Sequence, residues 1–194
     1  STIVTDGDIE NAMEDKFGVI YSRNGKRLLK CKDENITNYR IKSGTMVICD
    51  EAFQDCSSLQ SIHIPDSVVN IGSHAFSFCK SLQSIHISDG VIIIGAYAFE
   101  HCNSMQSVHI PDNMKSINAW TFLGCESLKS IYIPDGVINI DGYAFYGCES
   151  LEFVHIPDSV TTIGEGAFGE CSSLKSIHIP GNVTNIGHKA FFEC

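Results

Sequence analysis

Six side chains spaced by 23 residues are the first candidates for chemistry: His63, His86, His109, Tyr132, His155 and His178. Imidazole titrates near neutral pH and ligates metals, so a column of histidines invites an acid–base or metal-binding reading. Two residues before each stands Ser61, Ser84, Ser107, Ser130 or Ser176, with Phe153 in the remaining place. Three residues after stands Asp66, Asp89, Asp112, Asp135 or Asp158, and Gly181 ends that series. Serine beside histidine suggests a hydrolase, and stacked carboxylates suggest calcium.

Each of these readings meets a physical objection. A hydrolase needs one distinctive acid, an oxyanion loop and a pocket, and five equivalent serine–histidine pairs specify no such place. Two neighbouring rungs could hold a divalent metal, but a ladder supplies no fixed geometry or supporting partners, and Tyr132 interrupts it. Aspartate after proline is ordinary turn chemistry, with its side chain expected to bond the backbone just ahead. The sequence therefore points to no enzyme, no cofactor and no dedicated metal site.

The elements that position these residues follow from the spacing itself. Phe53, Phe76, Phe99, Phe122, Phe145, Phe168 and Phe191 recur every 23 residues, each followed three positions later by a cysteine, from Cys56 to Cys194. A fixed period of this length is the mark of a repeat architecture, in which single units cannot bury their apolar face but a stack can. The columns Ile64 to Ile179 and Ile71 to Ile186 never vary, as inward-pointing residues of stacked coils would not.

Within each unit, I-x-I alternates with period two, as a half-buried strand does. Pro65, Pro111, Pro134, Pro157 and Pro180 follow it and end the ladder for want of an amide donor. V-x-x-I predicts a second short extended segment. The next column, Gly72, Gly95, Asn118, Asp141, Gly164 and Gly187, reads as a tight left-handed corner. A-F-x-x-C has the spacing of one helical turn, with Phe and Cys inward.

Seven of the nine cysteines thus fall in one inward column, leaving Cys31 and Cys49. Parallel side chains on neighbouring rungs are poorly aimed for disulfides, and buried thiols behave as small hydrophobes. Reduced thiols are expected, which favours a reducing compartment.

Composition bounds the partners. Hydrophobic residues make up 43% and charged residues 19% of the 194, enough for one domain with a sizeable core. A formal net charge of -10 opposes phosphate backbones and anionic lipid, so nucleic acid is not an expected partner. No apolar run is long enough to span a bilayer, and Ser1–Phe17 lacks the apolar centre of a secretory signal.

The unit A-F-x-x-C-x-S-L-x-S-I-x-I-P-D-x-V-x-x-I-G closely resembles the BspA-like leucine-rich repeat, from about Tyr39 to Cys194. Gly18 to Lys30, with Asn24-Gly25 at its centre, resembles that family's N-terminal hairpin, and Asn-Gly between apolar residues is a strong hairpin signal. Ile36, Tyr39, Ile41 and Ile48 fall one period before Leu59, Ile62, Ile64 and Ile71, giving an irregular first coil. The resemblance implies a surface or secreted adhesin that binds host matrix proteins or other cells.

The expected fold is an α/β repeat: a right-handed leucine-rich-repeat solenoid with a parallel β-sheet on one face. Residues 1–38 form an N-terminal cap with the hairpin and a short helix over 7–16, and residues 39–194 form about seven coils. The expected function is non-enzymatic capture of a protein ligand, in adhesion or recognition. The exposed sheet face would carry it, through His63, His86, His109, Tyr132, Phe153, His155 and His178, because ring-rich surfaces favour protein interfaces. A structural spacer and metal binding on the histidine ladder remain alternatives. Because the C-terminal coil with Phe191 and Cys194 has no visible cap, the expectation is that the natural chain continues or that this end self-associates with another copy.

Overall fold

A computed structural model describes all residues, 1–194, as a parallel-strand solenoid of about seven turns. The chain opens with helix α1 (Asp6–Glu10), then β1 (Met13–Glu14) and the hairpin strands β2 (Val19–Tyr21) and β3 (Arg27–Cys31). The helix expected over 7–16 is thus confined to its first turns. Thr5 caps it by exchanging hydrogen bonds with Asp8, and Met13 already belongs to a strand.

Each coil then contributes two short strands, except the last, where Ser176–Ile179 forms none and only the V-x-x-I strand is present. The I-x-I side carries β4 (Asn38–Arg40), β6 (Ser61–His63), β8 (Ser84–Ile85), β10 (Ser107–Val108), β12 (Ser130–Tyr132) and β14 (Phe153–His155). The V-x-x-I side carries β5 (Val47–Ile48), β7 (Asn70–Ile71), β9 (Ile93–Ile94), β11 (Ser116–Ile117), β13 (Asn139–Ile140), β15 (Thr162–Ile163) and β16 (Asn185–Ile186). Partners lie 23 residues apart, as Ile71 opposite Ile94 and Ile131 opposite Val154 show. The hairpin enters this register directly: β3 pairs in parallel with β5, Leu28 opposite Ile48, so the cap is the first rung of the second ladder.

The I-x-I sheet is built of the pairs β4–β6, β8–β10 and β12–β14, the first two joined through the bridge His63–His86. The V-x-x-I ladder is the more continuous, with six strands from β1 to β9 and four from β11 to β16. Between the two, a turn closes each coil by a backbone bond, Val68 N–H to Pro65 C=O at 3.0 Å in the first regular repeat.

The third side is where expectation and structure differ. A-F-x-x-C is a run of tight turns, and α1 is the only helix. The amides of Glu51, Phe53 and Asp55 donate to the carbonyls of Ser73, Ala75 and Ser77 in the following coil. On the V-x-x-I side, Gly72 N–H donates the other way, to Ile48 of the preceding coil. Each step of the stack is therefore tied from both directions, which leaves few backbone groups unpaired.

The left-handed backbone also lies elsewhere than expected. Gly72, Gly95, Gly164 and Gly187 do not have positive φ. A Cβ on Gly95 would stand 2.4 Å from Ser73 N, and one on Gly187 would stand 2.3 Å from Glu165 N. Glycine occupies this column because successive coils touch there, not because the chain turns left-handed. The positive φ values belong to the residues before A-F and before Cys, such as His74 (54°), Tyr97 (59°), Trp120 (57°) and Phe78 (60°).

The core is one cluster of 51 buried residues. Its spine is the phenylalanine column, whose rings stack nearly parallel at 5.2–5.6 Å from Phe53 to Phe191. All nine cysteines are free, and eight are buried. In the repeat column every thiol after Cys56 also donates a hydrogen bond: Cys79 Sγ–H to Phe53 C=O at 3.2 Å, with Cys102, Cys125, Cys148, Cys171 and Cys194 repeating the bond one coil on each time. A methyl group would fill part of that space but leave the carbonyl lone pair unused.

Candidate interaction surface

The I-x-I strands alternate, so isoleucine points in and the intervening residue points out. Ile62, Ile85 and Ile131 are buried, whereas His63, His86, His109, Tyr132 and His178 are exposed and His155 is half-buried. Arg40 stands opposite His63 and extends the column by one rung toward the cap. The structure thus gathers the expected surface residues on one side of the solenoid, with Phe153 in the serine column opposite Ser130.

The rings pair in two places. His86 and His109 stack at 5.9 Å, and Tyr132 and His155 at 4.6 Å. Phe153 stacks on no other ring and, like Tyr132, is about three-fifths exposed (60% and 59%). Phe153, His155 and His178 line a groove of about 610 Å³ together with Asp135, Asp158 and Ser176.

The aspartate edge departs from its expected turn role. None of the five carboxylates bonds the backbone just ahead, since the turns are already closed by backbone groups. Asp89 alone has partners: His109 Nε2 at 3.0 Å and the amide of Asp112 in the next coil at 3.3 Å. These two hold the Asp89 carboxyl below its ordinary range, the contact with His109 having the larger effect. Asp66, Asp112, Asp135 and Asp158 are exposed and without side-chain partners.

The serine column makes no nucleophile. Ser61 Oγ–H donates to Asn38 Oδ1 at 2.6 Å, and the one imidazole of this face with a side-chain partner, His109, meets Asp89 and no serine. Nor is any group of three or more His, Cys, Asp or Glu placed to hold a metal ion.

A second ring column, half-buried, lies on the A-F-x-x-C side. His74, Tyr97, Trp120 and Tyr143 stack at 4.6, 4.9 and 5.7 Å, within 7° of parallel. The stack ends on a glycine: a Cβ at Gly166 would lie 2.6 Å from the Tyr143 ring. Beside it Phe78 stacks on His101, whose ring covers Gly124, and Tyr146 covers Gly169. These rings are half-buried and stacked on one another, so this side is spent on holding coils together. Its signal was the column immediately before A-F, read at the same period of 23. The V-x-x-I side adds an unanticipated aliphatic stripe, with Met46, Ile92, Ile93 and Ile138 exposed.

Comparison with known proteins agrees with this geometry. The BspA type Leucine rich repeat region matches in six copies, over residues 30–152 and 92–194. Among solved structures, a leucine-rich repeat protein from Eubacterium ventriosum superposes with a TM-score of 0.81 at 24% identity, covering 99% of this chain and 51% of that one. The Leucine Rich Repeat protein of T. pallidum gives 0.78 at 26% identity, covering 90% and 86%. One from Bacteroides ovatus gives 0.71 at 30% identity, covering 95% and 54%. The chain spans about half the length of the first and third of these. No curated protein matches it significantly. With most of its length matched by the repeat and the same solenoid in its relatives, the chain belongs to the BspA-type leucine-rich repeat family.

Proposed function

We propose that this chain is a non-enzymatic scaffold that captures a protein partner, in adhesion or recognition, on its I-x-I face. The repeat family itself suggests a protein-interaction or adhesion scaffold. The observation that carries the choice of face is the exposure of Tyr132 and Phe153, two large rings each about three-fifths exposed on an otherwise polar sheet. Large side chains of this kind are the usual anchors of protein interfaces. His63, His86, His109, His155 and His178 extend the same surface along the solenoid. The other ring column is less suited, because its faces are already used against one another.

A photo-crosslinking residue at Ser107, on this face, should trap a partner, whereas one at Thr161, on the V-x-x-I side, should not. Replacing His86, His109 and Tyr132 together with alanine should remove the Ser107 product and leave the circular dichroism spectrum unchanged. Products obtained equally from Thr161, or a Ser107 product indifferent to the triple replacement, would overturn the assignment.

A further inference from the structure

Charge is unevenly divided along the molecule. Residues 1–42 hold eight of the 13 lysines and arginines and seven of the 23 carboxylates; the rest of the chain has five lysines, no arginine and sixteen carboxylates. Five of those carboxylates stand in line along one edge of the I-x-I face, and rungs of such a ladder are ~4.8 Å apart. None of the five lies in an ion pair with lysine or arginine, although other surface carboxylates, such as Glu152 with Lys175, do.

We propose that the I-x-I face of the last coils docks a basic, extended segment of a protein partner, with arginine or lysine side chains set between Asp135 and Asp158 and against Phe153. This rests on the assignment of that face as the binding surface and specifies the chemistry of what binds there. Asp135, Asp158 and Phe153 line one groove, which also contains His155, Ser176 and His178. Its volume of about 610 Å³ has room for a long side chain. A planar guanidinium can lie on the free Phe153 ring while its N–H groups reach carboxylates on either side. An acidic partner would meet only repulsion at this edge. A bare divalent ion would find fewer than the three ligating side chains it needs in one place.

The test uses the full chain and three fluorescent peptides of equal length, rich in arginine, in glutamate and in serine. The arginine peptide alone should bind saturably. Asp135→Asn with Asp158→Asn should weaken it about tenfold, a change of ~1.4 kcal/mol. Glu126→Gln with Glu149→Gln removes the same charge from other exposed positions and should change binding less than about twofold, as remote surface charges do. Phe153→Ala should also weaken binding, at unchanged thermal stability. Equal losses from the two double replacements would reduce the effect to net charge and overturn the groove. Full displacement by spermine at matched charge would do so too, since it would show a site for any polycation. If no arginine peptide binds but the Ser107 crosslink persists, the basic chemistry falls and the binding face stands. Loss of both results overturns both.

Discussion

The side-chain amide of Asn118 donates to the carbonyl of Ile94, the acceptor that its own backbone amide would use. At the equivalent positions Gly72, Gly95, Asp141, Gly164 and Gly187, the backbone N–H makes this bond to the preceding coil at 2.7–2.9 Å. The V-x-x-I ladder breaks at this one step, between β9 and β11. One side chain thus bridges a gap in the stack that backbone spans elsewhere. Asn118→Ala should leave the Ile94 carbonyl unpaired and cost about 1–2 kcal/mol in denaturant unfolding. Asn118→Gly, which admits the backbone bond, should recover most of that loss.

The thiol column predicts a pattern of reactivity and of alkaline stability. Burial pushes Cys125 up to about 12, and Cys171 likewise, while the backbone of Cys102 and of Cys148 opposes it less strongly. At pH 8 in the native state a thiol reagent should modify the exposed Cys194 first, and all nine cysteines only after unfolding. The unfolded chain releases these protons near pH 8.5, before the folded one does. Their contribution is therefore complete below that pH and is lost as pH rises toward about 12. Unfolding midpoints measured from pH 7 to 11 should fall, and a flat profile would contradict the buried thiols.

The cap hangs on a chain of hydroxyls. Tyr21 and Tyr39 oxygens lie 2.7 Å apart, and Tyr39 donates to Asp15 Oδ2 at 2.6 Å, while Asp15 Oδ1 accepts from the amides of Phe17 and Val19. Burial raises the Asp15 carboxyl, but the hydrogen bonds from Tyr39, Phe17 and Val19 outweigh it and leave it lowered. That contribution is present above the ordinary aspartate value near 3.9 and disappears as pH falls below it. Tyr39→Phe should cost about 1–2 kcal/mol at pH 7 and much less once Asp15 is protonated. Equal costs at pH 7 and pH 2 would show that the hydroxyl acts without the carboxylate.

Two glycines separate contact from mere turn preference. Gly166 has φ of +57° and sits beneath the Tyr143 ring, whereas nothing lies within 4 Å of a Cβ at Gly181. Gly166→Ala should lower stability by about 1–3 kcal/mol and disturb the ring stack that includes Trp120, seen in its fluorescence. Gly181→Ala should be neutral within about 0.5 kcal/mol.

Much of this molecule is legible in one dimension. Columns of constant Ile, Phe and Cys at a period of 23 determine the stack, its register and its inside, because only residues facing an unchanging neighbour are held to an unchanging type. The outward column from His63 to His178 follows from the alternation of the same strands. What tertiary structure alone decided concerns contacts between coils. Glycine at 72 or 95 marks touching backbones, rings from His74 to Tyr143 stack on left-handed residues, Asp66 to Asp158 leave their turns unbonded, and Asn118 replaces its own amide. Each depends on the rise and rotation from one coil to the next, which set distances between residues 22 to 26 apart. Residue type and spacing carry the period of that stacking but not its geometry.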